Sequence, residues 1–293
     1  MEANVVSEVI LPLAIFIIMV TLGMTLTVAD FRRVLSEPKQ IGVGLLCQIM
    51  LLPLVGFIIV YLFPLEPIFA LSIILLAASP GGTTSNLIVH AAEADRALSV
   101  SLTAISSSLV WLTLPFLMDI AFRTVGDSTQ SITFPIGEVM IQVAGLTLVP
   151  VIVGMLIRRY RPEFCERVKN GSKIFSGLFL LLIIIVLVIQ NWDTILTDGP
   201  RFALAFIVLN IAALLIGYGL SKLVGINKLQ SITIAIEMGL QNSTIAITVA
   251  LSIFGSGDMA IIPGLYGMWM LLTGFAFAFW MTHNRTEPSA VAG

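Results

Sequence analysis

The sequence predicts an all-α polytopic membrane protein with nine transmembrane helices, and three observations lead to that reading. Hydrophobic residues make up 58% of the 293-residue chain and charged residues only 11%, whereas a soluble domain carries about 25% charged residues. The apolar residues gather into runs that match the roughly 20 residues a helix needs to cross a bilayer. The basic residues, in turn, fall almost entirely in alternate gaps between those runs.

The runs lie at roughly 8–29, 41–62, 68–91, 98–121, 132–157, 174–191, 202–223, 229–254 and 260–281. Short alternating segments of the kind that build a β-barrel are not seen. The first run follows an acidic MEANVVSE rather than a basic leader, so it is expected to stay as a span. With alternating topology, Arg32, Arg33, Lys39, Arg96, Arg158, Arg159, Arg161, Arg167, Lys169, Lys173, Lys222, Lys228 and Arg285 share one side, 13 of the 15 Lys and Arg. Only Arg123 and Arg201 fall on the other. The positive-inside rule then puts the N-terminus outside and the C-terminus in the cytoplasm. Short loops suit a bacterial inner membrane, and a net charge of −2 argues against a nucleic-acid partner.

Spans three and eight are interrupted. Span three contains Ser79-Pro80-Gly81-Gly82-Thr83-Thr84-Ser85-Asn86, where proline and paired glycine are expected to stop the helix near Ser79 and restart it near Thr84. Span eight contains Glu237-Met238-Gly239-Leu240-Gln241-Asn242-Ser243-Thr244, which puts a carboxylate, a glycine and two amides in mid-membrane. A single such site often marks a kink in a packed helix. Two of them, five spans apart and therefore antiparallel, suggest an inverted repeat whose broken helices meet at a midplane binding site. The chain reads as one transmembrane domain over 1–293: a first repeat at 1–121 lacking its first helix, a second at 132–281, and a cytoplasmic tail at 282–293.

Glu237 is the sharpest candidate, because a charge at the bilayer centre costs about 2.5–3.5 kcal/mol on insertion scales. Its bland alternative is a protonated carboxyl bonded to a neighbouring helix. Around the breaks stand Ser85, Asn86, Gln241 and Asn242. Span four adds Ser99, Thr103 and Ser106 on one helical face, and span two adds Gln48. Taken singly, such residues more often pack or bond to backbone. Together they form an oxygen-rich set suited to a hard cation.

No catalytic constellation accompanies them, so an enzyme is not expected. The chain has two histidines, His90 and His283, and two isolated cysteines: Cys47 in an apolar run and Cys165 in a basic loop. HExxH, Walker and GxSxG patterns are missing.

The Ser79–Asn86 and Glu237–Ser243 motifs, with Gly23-Met24-Thr25-Leu26 before Asp30-Phe31 and with Ala97-Leu98-Ser99, resemble the bile acid:sodium symporters, including their bacterial members. The resemblance implies a core domain built on two crossing broken helices, packed against a panel domain, with two sodium ions behind the crossover. It assigns one sodium to Ser85, Asn86, Ser99, Thr103 and Glu237. A second goes to Gln48, Glu237 and Gln241 with the carbonyls of Met238 and Leu240. Thr83 and Asn242 would face the substrate cavity. Some bacterial relatives line that cavity with a His-Asn pair in the last helix; here the stretch reads Tyr266-Gly267-Met268-Trp269-Met270, implying a less polar pocket.

The expected function is therefore symport of an organic anion, such as a bile acid or small carboxylate, with sodium as coupling ion and no other cofactor. A proton-coupled carrier, in which Glu237 titrates, is the first alternative. A channel or non-transporting sensor built on the same site is the second.

Overall fold

Helix boundaries in this chain follow local chemistry. The computed structural model of the protein describes residues 11–125 and 134–283. Within them lie α1 (Leu11–Gly23), α2 (Val28–Ser36), α3 (Pro38–Leu62), α4 (Pro67–Ala78), α5 (Thr83–Ala91) and α6 (Arg96–Val125). The second half holds α7 (Ile136–Tyr160), α8 (Pro162–Gln190), α9 (Trp192–Leu223), α10 (Lys228–Gly239), α11 (Ser243–Ile253) and α12 (Asp258–His283). Proline opens α3, α4 and α8 at positions where its missing N–H is no loss. Asn227 caps α10 by accepting from the Gln230 N–H at 2.9 Å.

Among the described residues, six helices are long and apolar enough to cross a membrane, namely α3, α6, α7, the Asn170–Gln190 part of α8, α9 and α12. A seventh is added if α1 and α2, bent by 55° at their junction, count as one span. The third and eighth expected spans are each two short helices meeting at a break. The first four residues of span three's motif do leave the helix: α4 ends at Ala78 and α5 begins at Thr83.

Two loops expected from the sequence are helical instead. Residues 28–36 form α2, in which the N–H and hydroxyl of Thr27 both donate to the Asp30 carboxylate at 2.6 and 2.7 Å. The basic stretch after Arg161 is the first turns of α8, so Cys165 lies buried in a helix rather than in a loop. The high charge of both stretches hides their helical spacing from a search for apolar runs. Residues 8–10, 132 and 133 of the expected spans, Arg285 and the tail from 284 onward lie outside the described residues.

Packing sorts the helices into two groups. α1, α7 and α8 pack on one another. The α1–α7 contact is backbone to backbone at Gly154, where a Cβ would lie 2.7 Å from the Met24 amide nitrogen. Arg158 on α7 donates to the Met24 carbonyl at 2.8 Å and satisfies the C-terminal end of that bundle. The other group centres on α4 and α10. Every residue of α10 from Gln230 to Gly239 is buried, and α4 is buried from Phe69 to Ala78. A helix covered on all sides is a core element. In contrast, α8 exposes Leu178, Leu182, Ile185 and Ile189, a face suited to lipid.

Candidate functional site

The site is made where the two breaks meet. Between α4 and α5 the chain runs extended through Ser79 and Gly82, and between α10 and α11 through Leu240. These extended stretches pair with each other. Gly81 and Gln241 form an isolated antiparallel bridge, and the Asn242 N–H donates to the Pro80 carbonyl at 2.8 Å. Backbone groups freed by the breaks thus satisfy one another inside the protein, as a non-helical segment at membrane depth requires. The Asn242 side chain also accepts from the Ile245 N–H at 3.2 Å and caps α11.

Glu237 lies beside this crossing with 1% of its surface exposed. Three hydroxyls surround its carboxyl group. Ser85 from α5 approaches Oε1 at 2.6 Å, Ser99 from α6 also contacts Oε1, and Thr103 reaches Oε2 at 3.0 Å. Asn86 joins through its Oδ1, 2.7 Å from the Ser99 hydroxyl. The helical spacing read from the sequence therefore does its expected work, since Ser99 and Thr103 lie one turn apart on the α6 face turned to α5 and α10.

Counting protons shows what the cluster lacks. Each hydroxyl carries a single proton. Ser85 has both Glu237 Oε1 and the Gly82 carbonyl within 2.6 Å, while Ser99 has both Glu237 Oε1 and Asn86 Oδ1. Oxygen lone pairs outnumber the protons available to them. A small hard cation satisfies such a surplus, as does a proton on the carboxyl group itself.

A second oxygen-rich position adjoins the first. Gln48 sits in a π-helical turn of α3, Leu46–Leu51, of the kind often found at functional sites. Its Nε2 lies 3.5 Å from the Glu237 carbonyl, at the limit of a hydrogen bond. Gln241 Nε2 donates to the Met238 carbonyl at 2.6 Å. In both glutamines the buried Oε1 has no hydrogen-bond partner among the described residues. Buried amide oxygens in this state are costly unless a donor or a cation meets them. Gly81 is the close-approach residue here: a Cβ on it would lie 2.8 Å from Gln48 Nε2 and would collide with Glu237 Oε2.

The remaining expected residues are placed as follows. Thr83 begins α5 and is exposed. Leu240 is buried, and its N–H bonds back to Ile236. Two residues outside the expected ligand set also reach the crossing. Asn210 on α9 donates to the Gly239 carbonyl at 2.8 Å, and Tyr266 on α12 donates to the same oxygen at 2.6 Å. Both are fully buried, so Tyr266 braces the end of α10 instead of lining an open pocket. Asn210 carries a visible signal, a lone amide within an apolar run, the same signal that singles out Gln48.

Comparison with known proteins identifies the family. The family model of the sodium bile acid symporter family matches residues 12–198. The chain belongs to that family. It is similar to a probable sodium/metabolite cotransporter of Arabidopsis thaliana chloroplasts, BASS1, 34% identical over 84% of this chain and 60% of the relative. The uncharacterized sodium-dependent transporter YocS of Bacillus subtilis is 27% identical over 94% of this chain and 83% of its own length. The human ileal sodium/bile acid cotransporter is 26% identical over 97% and 83% respectively. The chain spans about three fifths of the length of the plant relatives. Family membership and the apolar helices together make it an integral membrane protein.

Proposed function

We propose that this family member is a sodium-coupled symporter that imports an organic anion, a bile acid or a small carboxylate, by alternating access. The observation that carries the reading is the buried Glu237 carboxyl group, ringed by hydroxyls from α5 and α6 beside paired helix breaks. One sodium is assigned to Ser85, Asn86, Ser99, Thr103 and Glu237. A second is assigned to Gln48, Glu237 and Gln241 with the carbonyls of Met238 and Leu240, where the orphaned amide oxygens support it.

In this reading α4–α5 and α10–α11 are spans three and eight of nine, crossing as the broken helices of an inverted repeat. The α1–α7–α8 bundle is the panel and the helices around α4 and α10 are the core. Contacts between Arg33 and Asp95 at 3.5 Å, and between Gln230 and Glu37 at 3.3 Å, hold three basic gaps at one end of the molecule. That grouping supports a cytoplasmic location for the end, with the N-terminus outside.

Sodium neutralises Glu237 and ties α5, α6 and α10 together. The positive dipole end at the start of α5, near Thr83, then faces a substrate carboxylate, with the Asn242 side chain beside it at the start of α11. Two sodium ions and one monoanion carry net +1 inward. The membrane potential then contributes about 2.3 kcal/mol per 100 mV, in addition to the sodium gradient.

Thermal unfolding of the purified protein, titrated with sodium against potassium or choline at constant ionic strength, tests the reading without a known substrate. Sodium-selective stabilisation that disappears in Glu237→Ala is the expected result. Equal stabilisation by every cation, with uptake driven by a pH gradient in sodium-free buffer, would instead make Glu237 the proton carrier.

A further inference from the structure

A small cavity lies beside Gln48. It is lined by Gln48 and Ile49 of α3, by Ala78, Ser79 and Pro80 at the first break, and by Ser106, Thr113 and Leu117 of α6. Its volume is about 10 Å³, at the threshold for one water molecule.

Three features give it a direction. Gln48, Ser79 and Ser106 are buried, while Ile49, Thr113 and Leu117 are half-buried, so the cavity grades from interior toward the surface. Ser106 follows Thr103 by one turn, and Thr113 follows Ser106 by two more, a rise of about 10 Å along α6. The hydroxyl face that begins at the Glu237 site therefore continues toward the Val125 end of the helix, the outer end in the proposed orientation. Finally, the inner wall holds the buried Gln48 Oε1, which has no hydrogen-bond partner among the described residues. Neither the hydroxyl ring nor the crossing bridge uses any of Ser106, Thr113 or the Gln48 oxygen.

We infer that this cavity is the outer access route by which a sodium ion reaches the second ion position, with Gln48 Oε1 passing it from the Ser106–Thr113 face to Glu237. The inference rests on the sodium-coupled reading above. The two α6 hydroxyls that line the cavity make long bonds to their own helix, Ser106 to the Thr103 carbonyl and Thr113 to the Leu109 carbonyl, both at 3.3 Å. Their lone pairs remain free to replace part of a hydration shell stepwise.

Narrowing a passage raises the barrier in both directions and leaves the equilibrium constant alone, whereas removing a resident ligand weakens binding. Thr113→Leu fills the outer half and Ser106→Val the inner half. Sodium is mixed with each purified variant in a stopped-flow instrument while tryptophan emission is followed, with Trp111 on α6 as the near reporter. Sodium affinity is read separately from thermal stabilisation. The expected result is a fall of tenfold or more in both association and dissociation rates for Thr113→Leu, with affinity within twofold of the unaltered protein. Ser106→Val should behave in the same way, and Thr113→Leu decides alone if it does not fold. Unchanged rates with intact affinity would overturn the route and send the ion through the substrate side. A tenfold loss of affinity in Thr113→Leu would also overturn it, making the cavity a resident site. Absence of sodium-selective stabilisation in the unaltered protein would sink the sodium reading itself, an outcome separate from the other two.

Discussion

Pro80 and Asn242, 162 positions apart in the chain, are joined by a backbone hydrogen bond of 2.8 Å at the point where both broken helices lose their own. Each break thereby supplies the partner the other needs. Their union also sets Gly81 against the Glu237 carboxyl group, so the structural solution to two interrupted helices is at the same time the wall of the proposed ion site.

Replacing Glu237 by glutamine keeps the shape and removes the charge. Sodium-selective thermal stabilisation should be lost, and with it sodium-driven uptake in proteoliposomes. An intact Glu237→Gln carrier would remove the carboxylate from the ion site.

Gly81→Ala places a methyl group against Glu237 Oε2 and Gln48 Nε2. Overpacking of this kind costs about 1–3 kcal/mol. Because the crowded atoms belong to two of the proposed ligand residues, the sodium response should weaken by more than the loss in sodium-free stability explains. The comparison needs only melting curves with and without sodium.

Gln48→Leu and Gln241→Leu each delete one orphaned amide oxygen and its partner nitrogen. If these oxygens hold a second ion, the sodium dependence of uptake should change from sigmoidal to hyperbolic in both variants. A retained sigmoidal dependence in both would leave the second position without ligands.

Tyr266→Phe removes one of two donors to the Gly239 carbonyl and leaves Asn210 in place. The loss should be about 1 kcal/mol, the usual worth of a hydrogen bond whose acceptor keeps another partner. Melting temperature should fall equally with and without sodium, since the contact braces α10 rather than the ion. A selective loss of the sodium response would move Tyr266 into the binding machinery.

Local stereochemistry makes much of this arrangement legible in the sequence. Proline followed by paired glycine at 80–82 disfavours a continuous helix far more than a lone proline such as Pro115 does, so the α4–α5 break is expected from those three residues. The i, i+4 spacing of Ser99 and Thr103 likewise dictates a common face. Other elements are hidden. The residues of α2 and the first turns of α8 are rich in charge, and an apolar-run criterion passes over helices of that kind. In the sequence Asn210 is one amide among many apolar residues, and its importance comes from a contact with Gly239, 29 positions away.

The chain by itself determined the environment, the helical class and the identity of the dominant residue, because solvation energies and backbone sterics act on local composition. A bilayer is the medium in which 58% hydrophobic residues are stable, and a carboxyl group within an apolar run is costly wherever the fold takes it. Only the tertiary structure decided which groups meet that carboxyl and which are left over. Ser85, Ser99 and Thr103 converge on Glu237 from 134 to 152 positions away, while the Gln48 and Gln241 oxygens remain without partners among the described residues. Hydrogen-bond accounting of this kind depends on distances of a few ångströms between segments remote in sequence, and packing alone sets those distances.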